Sequence, residues 1–201
     1  MSLTTFTALL VFSFVSSATP GPNNIMLFAS GVNFGLRRTW PHAIGISVGF
    51  GVMLACIGFG LGYLLQQAPI VFTLIKIGGG LYMLYLAWRI ANSGPVKSGE
   101  RTARPMTFME AALFQWVNPK AWVMGLVAMA TYTAEGNYAL NVWIVVFAFC
   151  IINFPSVTLW AGFGTAMGEF LKDPRKLRLF NISMALLLVL SLWPMLTVEI
   201  Q

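Results

Sequence analysis

The hydrophobic residues of this chain lie in six long blocks, which short polar or basic pieces separate. A membrane-spanning helix needs about 20 consecutive, mostly apolar residues. The pattern therefore predicts six spans, at about residues 3–31, 43–65, 70–91, 108–132, 140–167 and 179–198. The first block has no basic residues before it and no small-residue cleavage site after it, so we interpret it as a span and not as a signal peptide. Residues 1–201 are predicted to form a single all-α transmembrane domain.

The composition supports a membrane location. Hydrophobic residues make up 58% of the chain and charged residues only 9%, whereas a soluble domain carries about 25% charged residues. So few charges cannot cover a water-facing surface on a chain of this size. We therefore expect an integral membrane protein whose outer surface contacts the lipid bilayer.

The positive charges are concentrated in alternate connections between the predicted spans. Ten of the twelve Lys and Arg residues flank the first, third and fifth connections, and the connections at 66–67 and 135–137 contain none. The ten are Arg37, Arg38, Arg89, Lys97, Arg101, Arg104, Lys172, Arg175, Lys176 and Arg178. The positive-inside rule makes their side cytoplasmic and places both termini in the periplasm. The net charge of +6 is thus an orientation signal and does not indicate nucleic acid as a partner.

The first predicted span is interrupted by the segment Thr19-Pro-Gly-Pro-Asn-Asn24. Proline has no N–H and its ring clashes with the preceding turn, so two prolines around a glycine are predicted to break the helix. In helical register, Pro20 leaves the carbonyl of Ser16 without a donor, and Pro22 that of Ala18. A second half-helix is predicted to start at Pro22, with its positive N-terminal end at the break. The predicted substrate-binding residues here are Pro20, Gly21, Pro22, Asn23 and Asn24.

The fourth predicted span carries a second break at Asn118-Pro119-Lys120. Pro119 frees the carbonyl of Gln115 by the same reasoning. Lys120 is expected near the middle of the membrane, where an ionisable side chain is costly and is a functional candidate by default. The predicted substrate-binding residues at this break are Gln115, Asn118, Pro119 and Lys120.

The two breaks occupy matching places in the chain. Spans one and four each begin a group of three spans, and groups with an odd number of spans lie in opposite orientations. Interrupted helices in two inverted halves indicate the substrate site of a transporter. Freed carbonyls attract a cation and helix N-termini attract an anion, and an amino acid carries both charges. We therefore expect its carboxylate at Asn23, Asn24 and Lys120, and its ammonium at the carbonyls of Ser16, Ala18 or Gln115.

These residues resemble the lysine exporter (LysE/RhtB) family of amino-acid exporters. The resemblance covers essentially the whole chain and rests on four motifs: Thr19-Pro-Gly-Pro-Asn-Asn24, Gly35-x-Arg37-Arg38, Gly80-Leu-Tyr-Met-Leu-Tyr-Leu-Ala-Trp88 and Phe114-Gln-x-x-Asn-Pro-Lys120. It implies a secondary exporter of amino acids or their derivatives in the bacterial inner membrane, driven by the proton-motive force. The neutral amino-acid branch, with cysteine, O-acetylserine, homoserine and threonine exporters, is the most similar.

Other function classes remain as alternatives. A small-solute channel and an exporter of a non-amino-acid metabolite are both compatible with broken spans. One histidine and two scattered cysteines form no nucleophile–base or metal constellation, so neither an enzyme nor any metal or cofactor is predicted. A carrier of thiol electrons would use Cys56 and Cys150. The sequence leaves open whether a homo-oligomer forms, and whether Lys120, a water chain or the substrate carries protons.

Overall fold

The computed structural model describes residues 1–63, 69–93, 104–134 and 136–193 of the 201-residue chain. All regular structure in these residues is helical. In chain order the described α-helices are α1 (Leu3–Ala18), α2 (Pro22–Phe34), α3 (Leu36–Cys56), α4 (Pro69–Ala91), α5 (Phe108–Phe114), α6 (Pro119–Tyr132), α7 (Tyr138–Phe170) and α8 (Pro174–Leu190). The predicted span ends at 64–65 and 194–198, and the charges at Lys97 and Arg101, lie outside the described residues.

Some of the described helices are long and apolar enough to cross a membrane. The segments Leu36–Leu61 and Tyr138–Phe170 are long and apolar enough to cross a membrane, and the bent pair α1–α2 makes a third if its halves form one span. Large apolar side chains such as Phe147 and Ile151 are 60% and 71% exposed, while several asparagines and serines are buried. This distribution agrees with the predicted all-helical membrane protein. The six spans and the inverted halves remain predictions.

Both predicted helix breaks are present. The axes of α1 and α2 differ by 52° across the break between them, and α2 begins with Pro22 at a position where no backbone N–H is needed. In the fourth predicted span, a short 3-10 turn, Gln115–Val117, separates α5 from α6. The side chain of Asn118 caps α6 by accepting a hydrogen bond from the backbone N–H of Lys120 at 3.1 Å.

Small residues bring the helices that carry the breaks into close contact. A Cβ atom on Gly31 of α2 would collide with the backbone carbonyl of Ala161 in α7, and one on Gly164 of α7 with the carbonyl of Phe28. On α3, a Cβ on Gly49 would lie 2.5 Å from the Cα of Ala112 in α5. Because only glycine permits these approaches, α2 is held on α7 and α5 on α3. The two breaks consequently face each other.

Candidate functional site

The two breaks meet at a small polar cavity. Six of the nine predicted site residues line it: Gly21, Asn23, Asn24, Gln115, Asn118 and Lys120. The other three, Pro20, Pro22 and Pro119, are not among the lining residues, and Pro22 and Pro119 begin α2 and α6. The cavity volume is about 20 Å³, and one water molecule needs about 10–15 Å³. The cavity therefore has room for one or two waters and is too small for an amino acid in this conformation.

Lys120 joins the two breaks directly. Its Nζ donates to the backbone carbonyl of Thr19 at 2.7 Å and contacts the Thr19 hydroxyl at 3.0 Å. Thr19 is the C-cap of α1, and the C-terminal end of a helix carries a partial negative charge that attracts cations. A Cβ on Gly21 would lie 2.7 Å from the Cδ of Lys120. Glycine at that position thus leaves room for the lysine side chain to cross the break.

A reciprocal pair of amide side chains makes the second connection between the breaks. Nδ2 of Asn23 donates to Oε1 of Gln115 at 2.8 Å, and Nε2 of Gln115 contacts Oδ1 of Asn23 at 3.2 Å. Gln115 is completely buried, and its Nε2 also donates to the carbonyl of Ala111 at 2.9 Å. The pair ties the start of α2 to the end of α5, so the cavity cannot widen between these helices without breaking both bonds.

The side chain of Asn24 at the start of α2 bridges the first break to the end of α1. Its Nδ2 donates to the carbonyls of Ser17 and Thr19, at 2.9 Å and 2.8 Å, and the residue is 3% exposed. Both N–H bonds of this amide are therefore engaged with the end of α1. A substrate carboxylate at Asn24 would therefore have to use the backbone N–H groups of the helix end, and its position there stays a prediction.

The prediction that three carbonyls lose their hydrogen-bond donors is wrong. The hydroxyl of Thr19 donates to the carbonyl of Ser16 at 3.0 Å, and the indole Nε1 of Trp160 in α7 donates to that of Ala18 at 3.2 Å. The backbone N–H of Asn118 donates to the carbonyl of Gln115 at 3.3 Å. Proline does remove the regular donor, but nearby and distant groups replace it because unpaired buried carbonyls are costly.

Sequence reasoning missed the part of the cavity that α1, α3 and α7 contribute. Asn153 of α7 is 5% exposed, donates to the hydroxyl of Ser17 at 3.2 Å and accepts from the hydroxyl of Ser47 at 3.1 Å. An asparagine within an apolar block, two residues before Pro155, is a signal that could have identified it. Ser16, whose carbonyl was among the expected ammonium partners, also lines the cavity, and the remaining lining residues that were missed are Phe50, Ala121, Met124 and Val157.

The charge of the cavity favours an anionic group. Among the described residues that line it, Lys120 is the one with a formal charge. The other polar groups are amides and hydroxyls, which both donate and accept hydrogen bonds. A carboxylate can replace the Thr19 carbonyl as the partner of the ammonium group with a stronger, charge-assisted bond. In the described part of the chain, no three His, Cys, Asp or Glu residues are grouped as a metal site would require.

Comparisons with known proteins agree with the resemblance. The model of the LysE type translocator family matches residues 14–191. Curated relatives include the cysteine/O-acetylserine efflux proteins of Escherichia coli (strain K12) and Shigella sonnei (strain Ss046), each 33% identical over 193 residues, which covers 94% of this chain and 96% of the relative. No solved structure gives a significant match. The chain therefore belongs to the LysE type translocator family and, as predicted, is a transporter and not an enzyme.

Proposed function

We propose that this protein is a secondary exporter of amino acids or their derivatives, and that the cavity between the two helix breaks is its substrate site. The observation that carries the proposal is the pair of direct connections across this cavity, Lys120 to Thr19 and Asn23 to Gln115. Each connects one broken helix to the other. A cavity that such bonds close can be opened by a ligand that replaces them.

The substrate binds by exchanging with these bonds. Its carboxylate takes the ammonium group of Lys120 away from the carbonyl of Thr19, and its own ammonium group takes the carbonyl that Lys120 leaves. This differs from the arrangement expected from the sequence, because the carbonyls of Ser16 and Ala18 already accept hydrogen bonds. A carboxylate and an ammonium on one small molecule satisfy both sides of the break at once, which favours an amino acid over a simple anion.

The proposed location is the bacterial inner membrane, with the basic end of the molecule in the cytoplasm. Asn33 near the end of α2 and Asn181 in α8 form a reciprocal amide pair, at 2.7 Å and 3.1 Å, and Asn181 also donates to the carbonyl of Ser93 after α4 at 2.6 Å. The ends of α2 and α4, each beside a basic connection, therefore meet against α8. The positive-inside rule then supports a cytoplasmic position for this end and periplasmic termini.

The names of the relatives suggest the first substrates to test. The alignment with this chain covers 96% of the length of curated relatives that are named cysteine/O-acetylserine efflux proteins. We propose L-cysteine and O-acetyl-L-serine as candidate substrates of this chain, and the proton-motive force as the energy source. Both compounds carry the α-ammonium and α-carboxylate groups that the exchange requires.

Export from intact cells tests this proposal. Cells with and without the protein are loaded with dipeptides, and extracellular amino acids and O-acetylserine are followed by mass spectrometry, with and without a protonophore. We expect faster release of one or a few amino acids only with the protein, and loss of that difference with the protonophore. We expect Lys120→Met to reduce the protein-dependent release at least about tenfold, since a hydrogen bond to a charged group contributes about 1.5–3 kcal/mol.

The exposed Lys176→Met is the matched control, and both variants are quantified in the membrane fraction. Release by Lys120→Met at the wild-type rate would remove the lysine from the proposed mechanism. If no amino acid responds although the protein is inserted, the substrate class is wrong. A protein-dependent release that the protonophore leaves unchanged would instead favour a channel.

A further inference from the structure

A second cavity, with apolar walls and six polar residues, lies near the basic end of the fold. Its volume is about 50 Å³, and α2, α3, α4 and the residues before α5 form its walls. The polar residues that line it are Ser30, Asn33, His42, Ser93, Arg89 and Arg104. By the space that a water molecule needs, it accommodates about three or four waters, or a group as large as a carboxylate. This cavity is distinct from the one between the helix breaks, since none of the lining residues is shared.

His42 is the first sign that this cavity is built for a ligand. The residue is 1% exposed, and within the described part of the chain neither of its ring nitrogens has a hydrogen-bond partner. Nearly all buried polar atoms in proteins are hydrogen-bonded, because an unpaired one is costly. An imidazole without a protein partner, on the wall of a cavity that two arginines also line, therefore points to a bound group that supplies the missing hydrogen bond.

The two arginines of the cavity differ in their partners. Arg104 is neutralised by Glu110 through two hydrogen bonds of 2.7 Å and 2.6 Å. Arg89 donates Nη2 to the carbonyl of Arg104 at 3.2 Å and lies 5.9 Å from the ring centre of Tyr85. No described carboxylate is within ion-pair distance of Arg89. A guanidinium has five N–H donors in a planar fork. Arg89 is therefore held in place by these contacts and keeps further N–H donors that can bind a ligand.

We propose that this cavity is a second binding site of the transporter, in which Arg89 and His42 hold the carboxylate of an amino acid at the cytoplasmic end. The guanidinium supplies the positive charge, and the imidazole donates through the ring nitrogen that carries its proton. The hydroxyl of Ser30, which is 2.9 Å from the Thr39 hydroxyl, lies on the same wall. The assignment of the ligand as an amino acid rests on the proposed function, whereas the carboxylate chemistry rests on the cavity itself.

Helix α2 connects this site with the cavity between the breaks. Asn23 lines the first cavity and Ser30 the second, and seven residues of helix separate them by about 10 Å. A carboxylate that leaves Arg89 would have to travel about this distance along α2, whose intervening residues such as Leu27 are buried, so the passage needs the helices to move apart. The second site would collect the amino acid from the cytoplasm and pass it to the site that closes around it.

The single histidine of the chain makes a direct test possible. The protein is produced with a histidine-free affinity tag and ring-¹⁵N histidine, placed in lipid nanodiscs, and its imidazole ¹⁵N signals are recorded during titration. The probes are sodium acetate and O-acetyl-L-serine, which carry a carboxylate, against L-serine methyl ester and sodium chloride, which do not. We expect saturable shifts of the His42 signals with the two carboxylates only.

Variants of Arg89 test whether this residue supplies the positive charge of the second site. We expect Arg89→Gln to weaken the response to acetate at least about tenfold, as for a lost charge-assisted hydrogen bond, and Arg89→Lys to retain part of it. Arg178→Gln removes an exposed positive charge near the start of α8 and is the matched control. An unchanged response in Arg89→Gln overturns the assignment, and so does an absence of shifts with acetate in the wild type, which needs no variant to fold. Equal shifts with chloride overturn it in favour of an inorganic anion.

The NMR titration and the export assay can refute the second site and the proposed function independently of each other. Shifts of His42 with acetate in a protein that exports no amino acid would refute the proposed function and leave the carboxylate site standing. Amino-acid export by a protein whose His42 signals never respond would refute the second site and leave the proposed function standing.

Discussion

The amide pair between the two breaks should be measurable as an energetic coupling. Asn23 and Gln115 exchange two hydrogen bonds, of 2.8 Å and 3.2 Å, between α2 and the end of α5. Each single variant, Asn23→Ala or Gln115→Ala, leaves the other amide without its partner, whereas the double variant removes both. The double variant should therefore lose less stability than the sum of the single variants.

The expected coupling energy follows from the number of hydrogen bonds between Asn23 and Gln115. Side-chain hydrogen bonds between membrane helices contribute about 0.6 kcal/mol on average and about 1.7 kcal/mol at most in double-mutant cycles. Two such bonds give an expected coupling of about 1–2 kcal/mol. Gln115→Ala should be the more destabilising single change, because Nε2 of Gln115 also donates to the carbonyl of Ala111 and the residue is fully buried.

Unfolding in mixed detergent micelles with increasing dodecyl sulfate gives the four free energies of the cycle. The matched control combines Asn23→Ala with Asn181→Ala, whose amide pairs with Asn33 and not with the breaks. That control should be additive within about 0.5 kcal/mol. If the free energies for Asn23 and Gln115 are equally additive, the two amides do not hold the breaks together, and the account of the closed cavity is refuted.

Three further predictions concern the packing of α2 on α7, the lining residue Asn153 and the two cysteines. Gly164→Ala should lower the free energy of unfolding by about 1–3 kcal/mol through overpacking against α2. Gly162→Ala, with open space around its Cβ, should be neutral. Equal effects of the two variants in the same unfolding assay would contradict the close contact between α2 and α7. Asn153→Leu should lower protein-dependent export about fivefold, the equivalent of one hydrogen bond of about 1 kcal/mol, and an unchanged rate would exclude Asn153 from the site. Replacing Cys56 and Cys150 by Ala should leave export within about twofold of wild type, and loss of export would support thiol chemistry.

The helix breaks could be predicted because their cause is local. Proline removes its own N–H and restricts its own backbone, and the segments at Pro22 and Pro119 do interrupt their helices. A proline alone is not sufficient, since Pro41 and Pro155 lie inside α3 and α7. The small residues were predictable as packing positions for a similar reason, since a glycine such as Gly164 is useful where a backbone approaches. The all-helical membrane fold follows from apolar blocks that are visible in one dimension.

The hydrogen bonds that repair the breaks could not be predicted, because they depend on distant residues. Trp160 donates to the carbonyl of Ala18 from 142 positions along the chain, and Lys120 reaches Thr19 from 101 positions away. Sequence periodicity contains no information about such contacts. Asn153 is different, since an amide within an apolar block stands out among its sequence neighbours.

If the cavity between the breaks is the substrate site, as proposed, the contact of Lys120 with the end of α1 makes the protein a competitor of its own cargo. An arriving amino acid finds the carbonyl of Thr19 already occupied by a tethered ammonium group. The bond between Lys120 and Thr19 must break before the proposed exchange can take place, so the apparent affinity is reduced by the fraction of molecules that are open. An exporter with weak affinity for its cargo responds only to abundant solute. Such a protein behaves as an overflow valve, which relieves an excess and leaves the basal pool in the cell.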